Sequence, residues 1–268
     1  SWKNIVSHKR IVLPSPSPKN ILILILCLIL NKKIFIGIHD IEGHEQKDKK
    51  KVHVYNYVVT KLATGIIVYS EFSKKQLQAL FRINGSIFTY YFIAAELTQS
   101  PSLKGSIDYK ADILYFGRAN EYSGRDNLEN IVKSLPTKKF LLMGAGLPER
   151  LSQYENVTLL SRRFTDFELH QALKFRPTII FPYKSATQSG GIPLAISYCC
   201  NVVFFNVGGL SDQLRNYPST SVLPTDLMAF CEALQLINMK VESRDRGKWI
   251  DEIKFENRKN LEELIGSA

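Results

Sequence analysis

Short runs rich in Ile, Val, Phe and Leu alternate along this chain with segments whose apolar residues recur every three or four positions. That is how a parallel sheet wrapped by helices reads. From Lys33 the pattern predicts a strand over 33–40 (KIFIGIHD), a helix over 52–63, a strand over 65–70 (GIIVYS), a helix over 73–82 and a strand over 86–92. These make half of a doubly wound domain, without the strands that would normally precede residue 33. Residues 93–110 lose the periodicity and collect Ser, Pro, Gly and Lys, which predicts an interdomain linker.

The alternation restarts with strands over 112–118, 138–146 and 156–162 and a helix over 126–135. Thr165 followed three residues on by Glu168 is a capping box that opens a helix over 166–175. Strands over 178–183, 201–206 and 221–224 follow, with helices over 189–199, from Leu210, and over 226–238 between and after them. A long helical stretch begins near Ser243. The chain therefore divides into a partial first domain (1–100), a complete α/β domain (101–242) and a C-terminal helical segment (243–268) available to pack back on the first domain.

One stretch stands outside this rhythm. Residues 21–30, ILILILCLIL, are continuously apolar, but a membrane-spanning helix needs about 20 residues. Ser17 as N-cap and Pro18 at the first helical position predict a buried helix over 18–31. The Ile/Leu alternation suits a buried strand equally well, and periodicity does not separate the two.

A composition that is 45% hydrophobic and 22% charged belongs to a folded, core-forming protein, which excludes a disordered tail or a collagenous repeat. The net charge of +10 is unevenly placed: residues 1–100 hold 14 basic and 6 acidic side chains, and the remainder 21 and 19. The first domain therefore faces something anionic. No basic strand interleaved with aromatics points to nucleic acid. Cys27, Cys199, Cys200 and Cys231 form no C-x-x-C pair and have no matching histidines, so they read as buried thiols in a reducing compartment rather than as metal ligands.

In open parallel sheets ligands bind beyond the C-terminal ends of the strands. Four clusters fall there. His39 and Asp40 end the first clear strand, with Glu42, His44 and Glu45 behind them; a histidine there can hydrogen-bond sugar hydroxyls or act as a base. FGRANEYSGR places Arg118 at a strand end and Arg125 at a helix start, where guanidinium groups and the helix dipole suit a phosphate pair. LMGAG carries Gly144 in a strand-to-turn Gly-x-Gly, which serves a tight turn as readily as a ligand. PYKSATQSGGIPLAIS brings Thr187, Gln188, Ser189, Gly190 and Gly191 between a strand end and a helix, an anion-binding arrangement that helix packing would also explain.

Taken together, FGRANEYSGRDNL, LMGAG, TLLSRRFTDFELHQAL, IIFPYKSATQSGGIPLAIS and VVFFNVGGLSDQL resemble, in order and spacing, the C-terminal domain of family-four retaining glycosyltransferases of GT-B architecture. IGIHDIEGHE and ATGIIVYSEFSKKQL are similar to the second half of that family's N-terminal domain. The resemblance spans about residues 15–240. It implies two Rossmann-like, doubly wound α/β domains facing across a cleft, and transfer of a sugar from a nucleotide diphosphate sugar with retention. No metal or other cofactor is implied. Arg118 matches the diphosphate-binding arginine, with Gly117 and Arg125 beside it. Gln188, Ser189, Gly190 and Gly191 match the loop whose backbone contacts the donor, with Gly144 and Thr187 bordering it, and His39 matches the histidine facing the donor sugar. Cation and amides would stabilise the charge growing on the departing diphosphate.

The chain also departs from the family. Ser123 stands where a lysine is usual, and Thr187 and Ala195 where two glutamates are usual. Losing a carboxylate bound to the ribose hydroxyls would cost about 1.5–3 kcal/mol if nothing replaced it. The resemblance implies a cytoplasmic bacterial enzyme adding a sugar to a saccharide or lipid-linked acceptor during surface polysaccharide assembly. It would sit peripherally on an anionic membrane through Lys32, Lys33, Lys47, Lys49, Lys50 and Lys51, each worth about 1 kcal/mol near such a surface. The alternative is a catalytically weak or inactive GT-B scaffold that binds a sugar or a partner protein.

Overall fold

A computed structural model describes residues 7–14, 17, 19–41, 46–95, 108–237 and 241–266. The chain forms two compact units, one of residues 1–92 with 252–268 and one of residues 93–251. The first boundary falls at the start of the predicted linker, whose residues 96–107 lie outside the described residues. The second falls within the last helix, after Asp251.

The first unit is built on a four-stranded parallel sheet in chain order: β1 (Arg10–Leu13), β2 (Lys33–Gly37), β3 (Gly65–Val68) and β4 (Ser86–Thr89). The strand β1 corrects the expectation that no strand precedes residue 33. RIVL is too short and too exposed to announce itself as a strand, and pairing with β2 is what orders it. Between the strands run α1 (Lys19–Ile29), α2 (Gln46–Leu62) and α3 (Glu71–Leu80). Leu24 and Cys27 of α1, Val59 of α2, Ala63 just after it and Leu77 of α3 pack with Ile34, Ile36, Ile38, Ile66 and Val68 into one core. The opposite sheet face carries Phe35, Phe88 and Ile67 against Leu264.

ILILILCLIL settles as helix, with Ser17 Oγ accepting from Lys19 N–H; Pro18 lies outside the described residues. The helix is not buried as expected. Asn20, Leu24 and Cys27 face inward, whereas Leu22, Ile25, Leu28 and Ile29 are exposed. A helix shows only one face to a sheet, and no second layer among the described residues covers the other.

The second unit holds six parallel strands: β5 (Ile113–Phe116), β6 (Phe140–Met143), β7 (Val157–Leu160), β8 (Thr178–Phe181), β9 (Val202–Phe205) and β10 (Thr220–Val222). Their order in the sheet is β10-β9-β8-β5-β6-β7. This is the doubly wound arrangement, in which the chain runs out from β5 to one edge and restarts at β8 toward the other. The helices are α4 (Arg125–Ser134), α5 (Asp166–Leu173), α6 (Gly191–Ser197), α7 (Leu210–Leu214) and α8 (Leu227–Leu236), with one short 3-10 helix at Glu149–Gln153. The capping box at α5 forms as read, Thr165 Oγ1 and the Glu168 carboxylate each bonding the other's backbone amide. All residues of β5, β6, β8 and β9 are buried, as continuous apolar strands require.

The final helix, α9 (Ser243–Gly266), has its first turns in the second unit and its last turns in the first. Arg246 donates to Ser197 O and the Trp249 indole to Gln213 O. Farther along, Asn257 pairs with both backbone groups of Tyr91, at 2.9 and 2.8 Å, and Asn260 donates to Thr89 O.

Candidate functional site

Because β5 and β8 are neighbours from which the chain departs in opposite directions, the loops at their C-terminal ends cannot lie over each other's strands. Such a switch point is where open sheets of this kind bind their ligands. The loop after β5 carries Gly117, Arg118, Ser123 and Arg125, and the loop after β8 carries Thr187 through Gly191. The switch point thus brings together the second and fourth sequence clusters.

Backbone contacts lock these loops to each other. Lys184 N–H donates to Tyr122 O at 2.8 Å, and Gly124, at φ +75°, lies so close to Pro182 that a Cβ would sit 1.7 Å from its carbonyl oxygen. On the other side Gly209 N–H donates to Ala186 O, joining the loop after β9. The strongest tie is a side chain. Gln213 on α7 accepts from Ser189 N–H at 2.7 Å and donates to Ser189 O at 3.1 Å. Gly191 N–H reaches Ser189 Oγ. The Ser189 and Gly191 amides are therefore taken up within the protein. Gly190 is exposed, and a Cβ there would meet nothing within 4 Å.

The glycines divide by this test. Gly117, like Gly190, faces open space. At Gly144 a Cβ would lie 1.7 Å from Gly117 O, so its smallness serves the packing of the turn after β6 under the turn after β5. Gly117 N–H to Met143 O and Ala119 N–H to Ala145 O complete that junction.

Arg118 is exposed, and its guanidinium forms no ion pair among the described residues. Arg125 at the start of α4 instead lies 3.7 Å from the Asp126 carboxylate, which Lys184 Nζ also approaches at 3.0 Å. These cations hold Asp126 below the usual carboxylate range, the Lys184 hydrogen bond contributing most. Ser123 is 2% exposed, accepting from Asn120 N–H and Tyr115 OH and donating to Asn120 O. It therefore shapes the turn, and its burial raises no cation toward a ligand. Burial also keeps the Tyr115 phenol protonated by pushing it up. Ala195 is fully buried on α6, and Thr187 is half-buried.

In the first unit the strand ends gather aromatics. His39 stacks on Tyr69 with centroids 4.3 Å apart, and Tyr69 on Phe92 at 4.7 Å. His39 Nε2 and the Tyr69 hydroxyl both bond Pro14 O, just beyond β1. A carbonyl only accepts, so Nε2 is the donor of its bond to Pro14 O. Burial, then the nearby Tyr90 phenol, pushes Tyr69 up to about 12, so it stays a donor. Gly37 permits the convergence, since a Cβ would fall 2.1 Å from Pro14 O. Asn56 of α2 fixes the turn after β2 by donating to Asp40 O and Ile41 O. Glu42, His44 and Glu45 lie outside the described residues. Among those described, no three His, Cys, Asp or Glu side chains come together as a metal site; the four cysteines are buried thiols.

Gln213, Tyr69 and Phe92 were missed by reading the sequence. Gln213 sits in the quoted VVFFNVGGLSDQL, but nothing in that string says that its amide turns back to another loop.

No family model matches the chain, and no curated protein matches it by sequence. Solved structures do match in shape. HepE from Anabaena, solved with UDP-glucose, aligns at a TM-score of 0.73 and 15% identity, covering 98% of this chain and 80% of its own. Sucrose-phosphate synthase from Thermosynechococcus elongatus aligns at 0.69 and 14%, covering 97% and 74%. A glycosyltransferase from Rickettsia africae aligns at 0.67 and 15%, covering 97% and 77%. At such identities the likeness shows the fold, and the fold is that of the GT-B glycosyltransferases.

Proposed function

We propose that this chain is a retaining glycosyltransferase that moves a sugar from a nucleotide diphosphate sugar to a saccharide or lipid-linked acceptor in bacterial surface polysaccharide synthesis. The observation that carries this reading is the switch point of the second unit, where the loops after β5 and β8 meet. An unpaired exposed guanidinium, Arg118, stands there with two glycines, Gly117 and Gly190, whose missing side chains leave open space. A diphosphate needs that combination of a cation and close backbone approach. The shape similarity to HepE, solved with UDP-glucose, supports a nucleotide sugar as the occupant.

In this reading Arg118 and the Gly190 amide at the head of α6 stabilise the negative charge that grows on the leaving diphosphate. Neither step calls on a metal. His39 hydrogen-bonds a hydroxyl of the donor sugar. Gln213 is a positioning residue, holding Ser189 so that Gly190 stays presented. The first unit takes the acceptor, and its basic surface, including Lys32, Lys33, Lys49, Lys50 and Lys51, lies against an anionic membrane on the cytoplasmic side.

Calorimetric titration with UDP-, GDP- and TDP-sugars tests this directly. One of them binds in the micromolar range and is slowly hydrolysed or transferred; binding by none overturns the donor site. The second reading, a scaffold without turnover, is favoured by one observation: buried Ser123 and Ala195 supply neither the lysine nor the ribose-binding carboxylate of the resembled family. Binding without hydrolysis or transfer selects it.

A further inference from the structure

The apolar helix α1 leaves a face uncovered. Leu22, Ile25, Leu28 and Ile29 share one side of it, with Leu22 70% and Ile29 75% exposed. On α2, which packs beside α1, Val54 and Tyr57 are exposed in turn, bordered by Lys50, Lys51 and Lys61. A single exposed leucine is ordinary, whereas a contiguous stripe of this kind marks an interaction surface.

The charge around the stripe selects its partner. Residues 1–39 hold six Lys or Arg and no Asp or Glu. At the C-terminal end of α1, Lys9, Arg10, Lys32 and Lys33 surround one hollow beside Leu30. An apolar stripe with a cationic rim matches acyl chains beneath anionic headgroups. With 11 residues α1 is about 16 Å long, and a hydrocarbon core is about 30 Å thick. No helix among the described residues is long and apolar enough to cross a membrane.

We infer that α1 is an interfacial anchor lying in the plane of an anionic leaflet. Leu22, Ile25, Leu28 and Ile29 insert among the acyl chains, and Lys9, Arg10, Lys32 and Lys33 meet the lipid phosphates. This deepens the membrane contact proposed above, on which it rests: a lysine surface held by charge becomes an inserted helix face.

The test uses the full chain and vesicles of phosphatidylcholine with or without phosphatidylglycerol. Leu22→Cys is labelled with an environment-sensitive fluorophore, the native cysteines being buried. On phosphatidylglycerol vesicles the label shifts to the blue and is quenched by brominated acyl chains, as a group buried about 5–10 Å deep must be. The triple variant Leu22→Asn, Ile25→Asn, Ile29→Asn loses at least about tenfold in vesicle partitioning. If that variant fails to fold, the label's depth alone decides. An unquenched label, or partitioning that ignores the triple variant but falls with Lys49→Gln, Lys50→Gln and Lys51→Gln, overturns insertion and leaves contact by charge. No vesicle binding by the parent chain overturns both membrane readings. A label shielded in solution by a dimer that the triple variant dissolves assigns the stripe to a second copy and overturns the inference. Nucleotide-sugar titration of the same variants reads the donor site separately.

Discussion

The side-chain amide of Gln213 grips Ser189 by both backbone groups, accepting from its N–H at 2.7 Å and donating to its carbonyl at 3.1 Å. Gln213 is itself only 3% exposed, and its own carbonyl receives the Trp249 indole. The loop before α6 therefore takes its shape from a residue 24 positions away. Leucine at this position keeps the volume and strands both Ser189 groups. Gln213→Leu is expected to lower unfolding free energy by about 2–4 kcal/mol, read from urea denaturation, and to weaken nucleotide-sugar binding.

Arg118 separates the other way. Exposed and outside any ion pair among the described residues, it contributes little to folding. Arg118→Ala is expected to leave the melting temperature nearly unchanged while weakening donor binding at least about tenfold, the worth of a charge-assisted hydrogen bond. Arg118→Lys restores charge but not the fork, so it recovers part of the loss. Calorimetry on the three proteins measures this.

Two glycines give opposite outcomes. Gly124 has φ +75° and faces Pro182 O, so Gly124→Ala destabilises the fold by at least about 2 kcal/mol. Gly190 has ordinary helical angles, φ −65° and ψ −18°, and open space around it. Gly190→Ala therefore leaves stability within about 1 kcal/mol and impairs donor binding. Thermal melts paired with titration distinguish them.

Glu168 makes stability depend on acid. The Arg162 guanidinium first, then Thr165 through its backbone and side chain, hold its carboxyl down to about 2, against the burial that would raise it. A folded-state value below the unfolded one stabilises the protein above the unfolded value and loses that contribution as the group protonates. The loss runs from about pH 5 down to about pH 2. Urea midpoints across that window fall in the parent chain and are flatter in Glu168→Gln.

How far the chain can be read without its structure follows from what each signal depends on. Buried strands such as ILYF, FLLM, TIIF and VVFF, and the Thr165–Glu168 cap, depend on neighbours in the chain, so their elements were legible. Arg118, Gly190 and His39 were legible as strand-end residues for the same reason. β1 was not, because four half-exposed residues become a strand only by pairing with Lys33–Ile36. The burial of α1 was misjudged because an all-apolar helix does not reveal how many of its sides are covered.

The sequence by itself determined the two α/β regions, their element order and the loops that follow the strands, since periodicity and capping are local. Only the tertiary structure decided which of those loops meet, and what each glycine is for. Gly144 yields to a backbone oxygen and Gly190 to open space, though both read as Gly-rich turns. It also decided that Gln213 supports the site and that α1 shows an apolar face to its surroundings. Each of these rests on contacts between residues far apart in the chain, and long-range packing leaves no periodicity to read.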